Sequence, residues 1–151
     1  MTSPNAREEI LNFAIRNEDE SFRFYTGIAN TTDKPHMRLI FEKFAIEEKE
    51  HKVKLEKIKK DGTFATEQKN IMDLKISDYI SDEELNPEME YQHALVIAMK
   101  HEKKAFQLYT NLAEIAVDDT TRNLFRFLAQ EEAKHKLRFE IEYDEEFMKD
   151  N

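Results

Sequence analysis

The sequence predicts an all-α fold, a four-helix bundle made of two repeated helical hairpins joined by a long crossover, and three observations carry that prediction. Only two glycines and three prolines punctuate 151 residues that are 40% hydrophobic and 36% charged, which leaves few turn signals among many good helix formers. The chain also repeats itself at an offset of 84 residues without a gap, pairing Leu11 with Leu95, Glu18 with Glu102, Tyr25 with Tyr109, Phe41 with Phe125, Glu48 with Glu132 and His51 with His135. Within each copy the matched positions step by three or four, 11, 14, 18, 22, 25 and 29 and then 38, 41, 45, 48 and 52, so each run lies on one face of a helix.

The elements follow in order from local signals. Ser3 before Pro4 suits the start of a first helix over 4–29, with a polar cap and a proline at the first helical position. "NTTDKP", Asn30 to Pro35, makes a turn, and a second helix over 35–60 stops where Lys57, Lys59 and Lys60 precede Gly62. Asn86 and Pro87 open a third helix over 87–116, "VDDT" from Val117 to Thr120 turns the chain, and a fourth helix fills 119–147. Residues 61–86 have no partner in the repeat and form a crossover connector, with a short helix near Ile76 to Ile80. A helix of this length spans roughly 39 Å, so a connector of similar size can return along the bundle and leave the second and third helices parallel. The whole of 1–151 is expected to form a single domain.

Charge and composition exclude several roles. A net charge of −9, with Lys and Arg scattered among the acids, opposes a phosphate backbone, so no nucleic-acid partner is expected. The chain has no cysteine, which rules out disulfides, thiolate metal sites and iron–sulfur clusters and suits a reducing cytoplasm. The N-terminal residues lack the basic-then-apolar pattern of a signal peptide, and the longest apolar run, Ala94 to Met99, is too short for a bilayer. The expectation is a soluble, cytoplasmic protein without a membrane partner.

A glutamate inside each apolar stripe raises the question of function. Glu18 and Glu48 are equidistant from the first turn, and Glu102 and Glu132 from the second, each about 22 Å along its helix. If an approximate two-fold axis relates the halves, Glu18, Glu48, His51, Glu102, Glu132 and His135 meet at one depth in the core. Four ionised carboxylates there need a cation, because each unpaired buried charge costs several kcal/mol. Two divalent ions would balance them, and imidazole with carboxylate but no thiolate suits iron or manganese. One Glu-x-x-His is weak evidence in so acidic a chain. Glu90 and His93 form one outside the register, and it reads as a solvated helix face.

A glutamate on each of two helices and Glu-x-x-His on each of the other two resembles the ferritin-like di-iron carboxylate superfamily. Through "NEDESFRFY", "HEKKAFQLY", "EEKEH" and "EEAKH" the chain looks most like rubrerythrin, over both hairpins. The resemblance implies two iron ions, with Glu18 and Glu102 as terminal ligands, Glu48 and Glu132 as bridges, and His51 and His135 giving one nitrogen to each metal. It implies reduction of dioxygen or hydrogen peroxide by a homodimer, the six residues being catalytic through the metals. Rubrerythrins carry a cysteine-bearing rubredoxin domain that passes electrons on, and its absence here implies a separate electron donor protein. They also carry an extra glutamate at the position of Ala105, so the six remaining ligands resemble bacterioferritin as well. That leaves a ferroxidase-like or iron-carrier role as an alternative, with manganese chemistry and a metal-free interaction module further behind.

Other residues read more plainly. Tyr25 and Tyr109 lie on the site stripe and could hydrogen-bond a ligand carboxylate from outside the ligand shell. Glu47 and Glu131 point away from their ligand neighbours, toward solvent or an ion pair around the site. His36 and His101 are expected at the surface, and Phe22, Phe41, Phe106 and Phe125 in packing roles.

Overall fold

The computed structural model describes residues 6–66, 71, 74–81 and 83–149. Four long helices account for most of them: α1 (Ala6–Thr31), α2 (Pro35–Asp61), α3 (Tyr91–Ile115) and α4 (Asp119–Tyr143), with no strand among the described residues. A short 3-10 turn, Ile76–Tyr79, marks the connector where a helix was expected, and α4 continues into a wider π-helical turn at Asp144–Met148.

The caps show why these segments end where they do. Pro35 opens α2, and Gly62 closes it with φ of 65°, its N–H donating to the Ile58 carbonyl at 2.9 Å, a left-handed conformation that glycine adopts without strain. Asp118 caps α4 by accepting from the Thr121 N–H at 3.2 Å. The repeated arginines do the same job in each hairpin. Arg38 donates to the Thr32 carbonyl at 3.0 Å and Arg122 to the Ala116 carbonyl at 2.8 Å, six residues upstream in both halves. The Ser3 and Pro4 cap lies outside the described residues. Asn86 does not cap the third helix as expected. Its Oδ1 accepts from the Glu88 N–H at 3.0 Å and closes a separate turn, because an asparagine side chain competes with the helix for nearby amides, and α3 begins only at Tyr91.

Contacts between the ends establish the topology. Thr66 and Ala65 bond to Ile115 and Val117, at 2.7 and 3.0 Å, so α2 ends beside the α3–α4 turn. Pro87 packs on Gly27 at the opposite end. The connector therefore returns the length of the bundle, and α2 runs parallel to α3. Gly27 is what permits that return, since a Cβ there would lie 2.5 Å from Pro87 Cβ and 2.8 Å from its Cγ. Gly27→Ala should destabilise the fold by about 1–3 kcal/mol in urea denaturation, even though alanine adds about 1 kcal/mol of helix propensity. An unchanged midpoint would mean that the proline shifts freely.

Two apolar clusters fill the interior. One, around Leu11, Ala14, Leu55, Leu112 and Phe125, lies toward the α3–α4 turn. The other, around Ile28, Met37, Phe41, Leu95 and Phe139, lies toward the α1–α2 turn. Between them sits a layer of buried glutamate and histidine. Phe41 and Phe125 are packed as expected, and Phe22 is partly buried, but Phe106 at the edge of its stripe is 39% exposed.

Candidate metal centre

The polar layer gathers all six residues singled out in the sequence. Glu18, Glu48, Glu102, Glu132, His51 and His135 come from the four helices, and none is more than 2% exposed. They interlock across the pseudo-two-fold axis. His51 Nδ1 lies 3.0 Å from Glu132 Oε1, 3.5 Å from Glu48 Oε1 and 3.6 Å from Glu18 Oε2. His135 Nδ1 lies 3.0 Å from Glu48 Oε1 and 3.8 Å from Glu102 Oε2. Each tyrosine reaches the opposite half: the Tyr25 hydroxyl donates to Glu102 and the Tyr109 hydroxyl to Glu18.

Those contacts leave donors without partners. Among the described residues, Glu18 Oε2, Glu102 Oε2 and Glu132 Oε2 are buried with no hydrogen-bond partner, a costly arrangement unless something electropositive sits among them. Two overlapping sets emerge, Glu18–Glu48–His51–Glu132 and Glu48–Glu102–Glu132–His135, and in each set the ligand atoms lie within 4.8 Å of one another. Glu48 and Glu132 belong to both. One imidazole and three carboxylates per set, with two carboxylates shared, fit a pair of divalent ions of the iron or manganese type.

The electrostatics of the ion-free chain follow from burial and crowding. Burial, then the charge of Glu48, raises Glu18 well above the ordinary carboxylate value. Glu132 is raised by burial and by Glu102. Burial also works against Glu48, but hydrogen bonds with His135 and His51 outweigh it and hold that carboxyl well below the usual range. Desolvation would lower both imidazoles. Glu18 and Glu48 overcome it and push His51 up to about 10, while Glu102, Glu47 and Glu48 push His135 up to about 12. Burial and the carboxylates raise both tyrosines, so each keeps its proton and donates it.

Around this centre some residues stand where the sequence suggested and others do not. Glu47 and Glu131 stand behind the histidines of the opposite half, with Glu47 Oε1 3.7 Å from His135 Nε2 and Glu131 Oε1 4.0 Å from His51 Nε2. Helical spacing could indicate only that they avoid the core, because their partners sit on another helix. His93 pairs with Glu83 at 2.8 Å on the surface. His36 is exposed, but His101 is not: it is 8% exposed, lining a cavity of about 620 Å³ beneath the connector. The missing signal was the connector, which covers that face of α3. A wall of rings backs the site, Phe44 stacking on His135 at 4.0 Å and Phe139 on Phe41 at 5.5 Å.

Among known proteins, the family described as Rubrerythrin matches residues 9–143. The solved structure of a hypothetical protein from Pyrococcus furiosus is similar with a TM-score of 0.73 and 26% sequence identity, over 91% of this chain and 87% of that one. The likeness supports the ferritin-like reading of the bundle. No curated protein shows a significant match. Among the described residues no helix is long and apolar enough to cross a membrane.

Proposed function

The chain belongs to the rubrerythrin family, and from that premise we propose that it is a di-iron carboxylate protein that reduces dioxygen or hydrogen peroxide with electrons from a separate donor protein. The observation that supports this reading is the pair of buried four-residue sets sharing Glu48 and Glu132, because two ions held side by side can act on one small oxidant. When bound, ferrous ions would supply one electron each, so the oxidant gains electrons in pairs. Manganese could occupy the same donors.

The protein's own residues set the terms of that chemistry. Glu18 and Glu102 would hold one ion each, Glu48 and Glu132 would lie between them, and His51 and His135 would complete the sets. Tyr25 and Tyr109 fix the terminal carboxylates by donating to them, which orients ligands in the manner of outer-shell groups. Phe44 and Phe139, buried and packed edge to face, would keep water from one side of the layer, and the low dielectric strengthens every charge interaction inside it. The reading places the protein in the cytoplasm as a homodimer.

One feature favours iron handling as a second reading. Ala105 is buried in the apolar cluster where the resemblance puts a seventh carboxylate, so the donors stop at six. Elemental analysis after anaerobic purification, followed by peroxide or oxygen with a reductant, separates the readings. About two irons per chain and repeated turnover are expected. A single round of oxidation without turnover would favour iron handling, and a chain that takes up no metal would overturn both.

A further inference from the structure

At the end of the bundle near the α1–α2 turn, a second group of donors lies apart from the buried layer. His36 opens α2, Glu142 ends α4, and Glu146 follows in the π-helical turn; their ligand atoms lie within 4.8 Å of one another. Glu142 is the unusual member. Its side chain is 3% exposed, yet among the described residues its partners are the neutral Tyr91 hydroxyl, at 2.8 Å, and His36 Nε2, at 3.2 Å. Arg138, one turn earlier, directs its guanidinium to Met37 Sδ at 3.6 Å instead.

The repeat shows that this is a departure from the shared plan. At the 84-residue offset Glu142 corresponds to Ile58, His36 to Thr120 and Glu146 to Gly62. Ile58 is buried among apolar side chains, so one half keeps a hydrophobe where the other buries a carboxylate. A buried carboxylate is costly without a compensating cation, and the π turn sets Glu146 beside it while the first turn of α2 sets His36 there.

We infer that His36, Glu142 and Glu146 form a second, separate site for one divalent first-row ion, pinning α2 of one hairpin to the end of α4 of the other. One imidazole and two carboxylates suit zinc, manganese or ferrous iron. Lys34 competes for the site, since its Nζ lies 3.0 Å from Glu146 Oε2, and an arriving ion displaces it.

Equilibrium dialysis of the full chain against Zn²⁺ tests this. Wild type should bind one more equivalent than His36→Ala, an exposed change that leaves the core alone, and Zn²⁺ should raise the Tm of wild type more than that of the variant. The difference of one persists whether the buried layer holds two ions or none, so the two sites fail separately. Lys34→Ala should bind the additional ion about fivefold more tightly, the equivalent of losing one exposed ion pair. Equal stoichiometry in wild type and His36→Ala, or weaker binding in Lys34→Ala, would show that the cluster is only an ion-paired clasp.

Discussion

Glu48→Ala should empty both positions of the buried layer, whereas Glu18→Ala should leave one filled. Glu48 contributes to both four-residue sets, and Glu18 to one. Removing Glu48 therefore takes a donor and a negative charge from each ion at once, and it also strips His135 Nδ1 of its 3.0 Å neighbour. Losing an outer-shell partner alone typically costs about 10- to 100-fold in metal affinity, and losing a shared ligand costs more. The expected metal-to-protein ratio is near zero for Glu48→Ala and about one for Glu18→Ala, with Glu132→Ala and Glu102→Ala behaving as their respective counterparts through the repeat. Circular dichroism should show both variants helical, since the two apolar clusters on either side of the layer are untouched. Equal ratios for Glu48→Ala and Glu18→Ala would rule out the shared role and with it the paired geometry.

Much of this was legible in the sequence because the duplication carries distance information that a single motif lacks. Glu48 and His51 alone say only that two side chains share a helix face. Matched to Glu132 and His135, and levelled with Glu18 and Glu102 by equal distance from two turns, they define a depth in the bundle. What the sequence could not show depends on contacts between halves. Its spacing puts Tyr25 on the site stripe without saying which carboxylate it reaches, and it donates to Glu102 of the other hairpin, because the pseudo-two-fold axis brings helices of different hairpins face to face. His101 looked like a surface residue on a polar stretch of α3, but the connector, which has no repeat partner, folds over it. Nothing in the spacing of the acids near the end of α4 sets Glu142 apart. Only the packing of Tyr91 and His36 around it shows that it is buried.

Metal loading should release protons and tighten as pH rises. In the ion-free chain the carboxylates hold His51 up to about 10 and His135 up to about 12, so both are imidazolium at neutral pH, while Glu18 and Glu132 are shifted toward their protonated forms. An ion needs neutral imidazole and ionised carboxylate, so loading the pair must displace at least the two imidazole protons, one per ion, and each Kd should fall by at least about tenfold per pH unit. Stability without metal runs the other way. A raised imidazole contributes fully below its unfolded value of about 6.5 and loses that contribution as pH climbs through about 10 and then about 12. The raised carboxyls of Glu18 and Glu132 act in the same direction, stabilising the acid form and losing that contribution as pH rises through their shifted values. Glu48, held low, has the opposite sign and loses its contribution only on strong acidification. The increment in Tm on adding ferrous or manganous ion should therefore grow between about pH 6 and pH 8, and calorimetric titration in buffers of different ionisation enthalpy should count the protons. Loading that is independent of pH, with none released, would mean that the histidines are already neutral and that the carboxylates around them are not held together by imidazolium in the empty protein.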